Sequence, residues 1–149
     1  MMMGGGGVTT IVGGSGNNVE LGDYGTIDAT DANNVVVTSA VDTAGNSDGN
    51  DVITTGDGNS VIIGGGGDDS LAAGNGGDLF FGDGGIATLK KSDYSVITAH
   101  TNTESAGGAD TITVSGSGNN VAFGGRRQRQ HHRDQFGQQY RARRPRQRR

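Results

Sequence analysis

Three aspartates, Asp51, Asp69 and Asp78, each lie two residues after a glycine in a phrase of nine residues. Cut at that length, residues 49–84 read GNDVITTGD, GNSVIIGGG, GDDSLAAGN and GGDLFFGDG. Gly49, Gly58, Gly67 and Gly76 open the units, and Ser60 holds the acid position of the second. A carboxylate fixed in a glycine-rich turn offers only oxygen donors: the acid brings charge, and the turn exposes backbone carbonyls. Such a donor set suits a hard divalent cation. The chain has no cysteine, which removes thiolate metal sites and disulfides from consideration.

The same period dictates the elements that carry these acids. Nine residues hold a strand of about three residues and a tight turn, and alternate strand residues face opposite sides. Ile53, Ile62, Leu71 and Phe80 therefore point inward, while Val52, Thr54 and Ser70 point outward. Two units close one coil, so residues 18 apart stack at roughly 4.8 Å, Ile53 on Leu71 and Ile62 on Phe80. The expected fold is all-β, a parallel β-roll, or β-solenoid. A longer period overlies it: residues 9–23 match residues 69–83 at an offset of 60, Asp110 follows Asp51 by 59, and Asn120 follows Ser60 by 60. Between the copies lie inserts at about 26–46 and 86–106, with the β-rich runs VVVTSAV (35–41) and YSVITAH (94–100). They read as extra strands that leave the coil and return. The ten residues from Asp110 to Asn120 imply a bulge in one turn. Glu20 falls where an inward apolar residue belongs, so either the first coil frays there or Val19 and Leu21 turn inward instead.

Stacking sets Asp51 beside Asp69. Two carboxylates at that spacing repel by about 1 kcal/mol in water, and by more where screening is poorer. A divalent cation reverses the sign. The first expected site pairs turn 46–51 with turn 64–69; a second pairs turn 55–60 with turn 73–78, weakened because Ser60 carries no charge. Asp48, Asp57, Asp68 and Asp83 lie elsewhere in turns and suit either a ligand or a solubilising role. Asp23 and Asp110, in degenerate coils, read as solubilising acids, and Asn18 and Asn120 as turn amides.

The unit GGGGDDSLA (64–72) fits the nonapeptide GGxGxDxUx, and NSDGNDVIT (46–54), TGDGNSVII (55–63) and AGNGGDLFF (73–81) fit it in part. Residues 46–84 thus resemble the RTX (hemolysin-type) calcium-binding repeats. The likeness is weaker over 7–25 and 107–125 and absent from the inserts and the C-terminal tail. The resemblance implies calcium as the ion. Turn carbonyls of Gly49, Gly64, Gly65 and Gly67 would complete the first site. Gly76, with Ser60 and Asp78, would serve the second, and Asp48 and Asp57 are further candidates. It also implies a structural module rather than an enzyme, secreted by a type I-like route or held at the cell surface, with neighbouring repeats of a larger bacterial exoprotein as its partners. Low hydrophobicity and high charge favour disorder without metal, so folding should be coupled to calcium.

The bulk numbers frame this reading. The 149 residues are 31% apolar, without tryptophan, and hold 30 glycines, so a thick globular core is not expected. Residues 1–125 carry 15 acids against Lys90 and Lys91, about −13, whereas residues 126–149 carry ten arginines and Asp134, about +9. No run approaches the roughly 18 apolar residues of a membrane span, and MMMGGGGVTTIVGG lacks the basic start of a signal peptide. The glycine runs lack the Lys-Ser/Thr of a phosphate loop, and no nucleophile elbow frames a serine. His100 reads as a surface residue.

Residues 1–125 are expected to form the roll and 126–149 a disordered Arg-rich tail. Shifted by one nucleotide, the tail permits GGNDNITGTSSGNNIVLGD, the vocabulary of the body and in phase with it, so it reads as a frameshifted continuation of the repeat. The competing readings are a metal-independent adhesive or ice-binding solenoid, suggested by Thr9-Thr10 and Thr54-Thr55, and non-specific nucleic-acid binding through the arginines.

Overall fold

The computed structural model describes residues 1–39, 49–102 and 107–125. Among them the chain is all-β: β1 (Met2–Met3), β2 (Thr10–Val12), β3 (Val19–Leu21), β4 (Gly25–Asp28), β5 (Asn34–Ser39), β6 (Val52–Thr54), β7 (Val61–Ile63), β8 (Ser70–Ala73), β9 (Leu79–Phe81), β10 (Gly85–Lys90), β11 (Val96–Thr101), β12 (Thr111–Val114) and β13 (Val121–Phe123). No helix among these residues is long and apolar enough to cross a membrane. The tail lies outside the described residues.

The strands form three sheets. The first is parallel, in the order β1-β3-β7-β9-β13, and the second, also parallel, runs β12-β8-β6-β2. From β2 to β3, β6 to β9 and β12 to β13, successive strands alternate between the two. Val52 pairs with Ser70 and Val61 with Leu79, each 18 residues on. Where an insert intervenes the offset grows: Val19 pairs with Val61 and Thr10 with Val52. Ile53 meets Leu71 and Ile62 meets Phe80, as the period predicts. These four residues, with Ile11 and Ala73, fill the space between the two sheets. Val52, Thr54 and Ser70 face solvent. The predicted irregularity lies in turn 115–120: Thr111 follows its partner Ser70 by 41 residues, but Val121 follows Leu79 by 42.

Each insert supplies a hairpin, and the two hairpins join. β4 pairs antiparallel with β5, β10 with β11, and β5 with β10, giving the order β11-β10-β5-β4. Val35, Val37, Ala87 and Leu89 of this third sheet cover the outer face of the first, burying Val19, Leu21, Val61, Ile63, Leu79 and Phe81. Phe81 stacks on Phe123 with ring centroids 5.0 Å apart. The middle strands of the first sheet, β3, β7 and β9, are thus buried on both faces, which explains the unbroken apolar triplets VII and LFF.

Neither expectation for Glu20 matches the structure. β3 stays in register, Glu20 opposite Ile62, so Glu20 itself faces the interior and is fully buried. Val19 and Leu21 are buried too, but against the inserted sheet, because strand alternation sends them to the other face.

Candidate metal centre

Two edges join the parallel sheets. At the acidic edge, Asp51, Asp69 and Asp110 immediately precede β6, β8 and β12 and stand one above the other. Thr9 N–H donates to Asp51 Oδ1 at 2.7 Å, Asp51 N–H to Asp69 Oδ1 at 2.7 Å, and Asp69 N–H to Asp110 Oδ1 at 3.0 Å. Each carboxylate therefore uses one oxygen to tie its coil to a neighbouring one. The second oxygen of Asp69 and of Asp110 is buried without a hydrogen-bond partner.

Those second oxygens face glycines leaving the first sheet. Gly22, Gly64 and Gly82 form their own ladder: Gly22 N–H donates to the Ile63 carbonyl and Gly64 N–H to the Phe81 carbonyl, each at 2.9 Å. A Cβ on Gly64 would run into Asp69 Oδ2 and the Gly82 carbonyl oxygen; one on Gly22 would strike Asp51 Oδ2 and the Gly64 carbonyl oxygen; one on Gly82 would strike Asp110 Oδ2. Carboxylate and carbonyl oxygens from successive coils converge on a wall where only hydrogen fits.

Asp23 and Asp83 join the same edge as the chain leaves β3 and β9. Gly66 N–H donates to Asp23 Oδ2 at 2.7 Å, and Gly108 N–H to Asp83 Oδ1 at 3.1 Å. Gly65, at φ +111°, has no room for a side chain because Asp23 lies against it.

The electrostatics follow from this crowding. Burial pushes the Asp69 carboxyl up to about 8; the Asp51 N–H opposes the shift, while Asp110, Asp51 and Asp23 add to it. Asp110 is raised to about 6, first by burial, against the Asp69 N–H and with the charges of Asp83 and Asp68. The two lysines are engaged elsewhere: Lys91 Nζ donates to the carbonyls of Ala29 (2.8 Å) and Asp31 (3.2 Å), and exposed Lys90 lies 3.9 Å from Asp93.

The opposite edge repeats the plan with fewer charges. Asn18, Ser60, Asp78 and Asn120 precede β3, β7, β9 and β13. Ser60 N–H donates to Asp78 Oδ1 at 2.9 Å, and Asp78 N–H to Asn120 Oδ1 at 2.8 Å. Asp78 Oδ2 and Ser60 Oγ are buried without hydrogen-bond partners. Burial raises the Asp78 pKa, opposed by the Ser60 N–H.

The expected site residues divide accordingly. Asp51, Asp69, Gly64 and Gly65 meet at the acidic edge. Gly49 and Gly67 stack there, since a Cβ on Gly67 would hit the Gly49 carbonyl oxygen. Asp78, Ser60 and Gly76 share the opposite edge, Gly76 at φ +150° under the Gly58 carbonyl. Asp57 is not among the converging oxygens: it is exposed, and its Oδ1 accepts from Asn75 N–H (2.8 Å) and Nδ2 (3.0 Å), which holds its pKa down. Asp48 lies outside the described residues. The residues read as solubilising, Asp23 and Asp110, belong to the acidic edge. The signal for Asp110 was its offset of 59 from Asp51, and for Asp23 its offset of 60 from Asp83.

Among the described residues no three Asp, Glu or His side chains converge on one ion. An ion here must therefore draw much of its shell from backbone carbonyls, which suits calcium and its six to eight oxygens. Buried, unpartnered carboxylate oxygens beside carbonyl oxygens fit that ion. The Thr-rich outer face of the second sheet does not form a regular rank, since Thr10 pairs with Val52 and Ser70 with Thr111.

No curated protein and no solved structure matches the chain. Three stretches, residues 3–19, 46–80 and 55–89, match the RTX calcium-binding nonapeptide repeat (4 copies), a repeat that binds calcium ions. Residues 3–19 and 46–89 thus carry RTX calcium-binding nonapeptide repeats.

Proposed function

We propose that residues 1–125 form a parallel β-roll whose folding is coupled to calcium, and that this roll is a structural segment of a secreted or cell-surface protein. At the acidic edge the ligands of the first ion are Asp51 and Asp69 with carbonyls of Gly49, Gly64, Gly65 and Gly67, and Asp110, whose Oδ2 faces Gly82, serves the next coil. Asp78, with Ser60 and Gly76, forms a weaker set opposite. The observation that carries this reading is Asp69: a buried carboxyl, one oxygen unpartnered, surrounded by three other acids. Calcium bound at this edge supplies the positive charge that makes stacked acids attract rather than repel. Alternation of strands between two parallel sheets at 18-residue offsets supports the roll. Export by a type I-like route and continuation into neighbouring repeats rest on the family resemblance.

Circular dichroism of the full chain during a calcium titration tests the coupling. The β signal should rise with a midpoint of roughly 10⁻⁴ to 10⁻³ M, the range of extracellular calcium modules. A spectrum unchanged to about ten times that range would contradict it.

A further inference from the structure

Among the described residues, Ile11, Ile53, Ile62, Leu71 and Phe80 form the apolar filling between the parallel sheets, and Glu20 breaks that row. This residue sits in the middle of β3, in the row that continues through Ile62 and Phe80, and is fully buried with neither carboxylate oxygen hydrogen-bonded. An apolar side chain would fill the row, as it does in the next two coils. Burial raises its pKa, opposed by the charge of the N-terminal ammonium, and an ionised carboxylate there still lacks a close partner that would offset its desolvation.

Its direction is informative. A Cβ on Gly13 would overlap Glu20 Oε1 and would lie 3.4 Å from Asn18 Cγ, so the carboxylate reaches back to the turn that precedes its own strand. The adjacent turn, 55–60, presents two more buried oxygens without hydrogen-bond partners, Thr55 Oγ1 and Ser60 Oγ. Both turns are in register: Gly13 N–H donates to the Thr54 carbonyl at 2.8 Å, and Val61 N–H to the Asn18 carbonyl at 2.9 Å. At this level the two acid positions of the repeat hold Asn18 and Ser60, neither charged. The one carboxylate present enters from the strand, two residues later.

We infer that Glu20 supplies the charge of an additional divalent-cation site between turns 13–18 and 55–60, with the Thr55 and Ser60 hydroxyls as neutral ligands. An all-oxygen set with one carboxylate suits a hard cation of the calcium class. The inference rests on the reading of the turns as calcium sites but uses a residue outside the repeat's acid position.

Equilibrium dialysis at saturating calcium counts the ions bound per full-length chain. Glu20→Leu restores the apolar row, and Glu20→Gln keeps the shape without the charge. Each should bind one ion fewer than the parent while keeping its calcium-dependent far-UV spectrum; if the Leu variant does not fold, the Gln variant carries the count. An unchanged count in a folded variant overturns this proposal and leaves the calcium reading standing. A parent chain that binds no calcium overturns both.

Discussion

At the scale of single residues, the account turns on carboxyls that are costly when alone and favourable when bridged. Asp69→Asn keeps the bond from the Asp51 amide but removes the charge. Calcium affinity should fall about tenfold or more, the equivalent of one charge-assisted contact, whereas Asp57→Asn, at an exposed turn tip, should change it less than about twofold. Calcium titration calorimetry on the two variants separates them. Proton binding gives a second test. Asp69 and Asp110 hold protons in the metal-free fold that they release on unfolding above their ordinary carboxylate range. Their contribution to the metal-free fold is therefore fully present below about pH 4. That contribution is lost as pH rises, through about 6 for Asp110 and about 8 for Asp69. In chelator, the residual β signal by circular dichroism should fall between pH 5 and pH 8; a rise would contradict the burial of these acids. The nonapeptide made Asp51, Asp69 and Asp78 legible. It hid Asp110 and Asp23 because their coils are interrupted, so that position in the motif no longer reports position in space.

Turns and strands carry the next level. Only glycine fits at residue 64, where Asp69 Oδ2 and the Gly82 carbonyl close on the Cα. Gly64→Ala should cost about 1–3 kcal/mol through overpacking and weaken calcium binding, whereas Gly14→Ala, with open space around it, should do neither. Urea unfolding in saturating calcium measures both. Strand positions were readable because one inward apolar residue per unit is a strong period-two signal. The second buried face of the first sheet was written in the same letters, Val61 with Ile63 and Leu79 with Phe81. Its meaning depended on a covering layer that no single repeat contains.

That layer belongs to the whole molecule. The inserts could be read as strands, but not as one sheet: β5 and β10 are separated by about 50 residues, and nothing local in either run names the other as partner. Their joining gives the molecule an apolar core that calcium does not build. Phe81, buried between the first and third sheets and stacked on Phe123, should cost about 3–5 kcal/mol when cut to alanine, even in saturating calcium. Calcium-saturated melts of Phe81→Ala would check this, and a loss under 1 kcal/mol would mean the inserted sheet contributes little. The metal-dependent part of the fold then resides at the edges, where buried acids stack in a body that fifteen acids and two lysines leave strongly negative over residues 1–125. The most direct test is an anomalous difference map from crystals of the chain grown in calcium. The account predicts a peak at the acidic edge, with Asp69 Oδ2 and turn carbonyls at roughly 2.3–2.6 Å. Well-ordered crystals with Asp51 and Asp69 stacked and no peak beside them would contradict it.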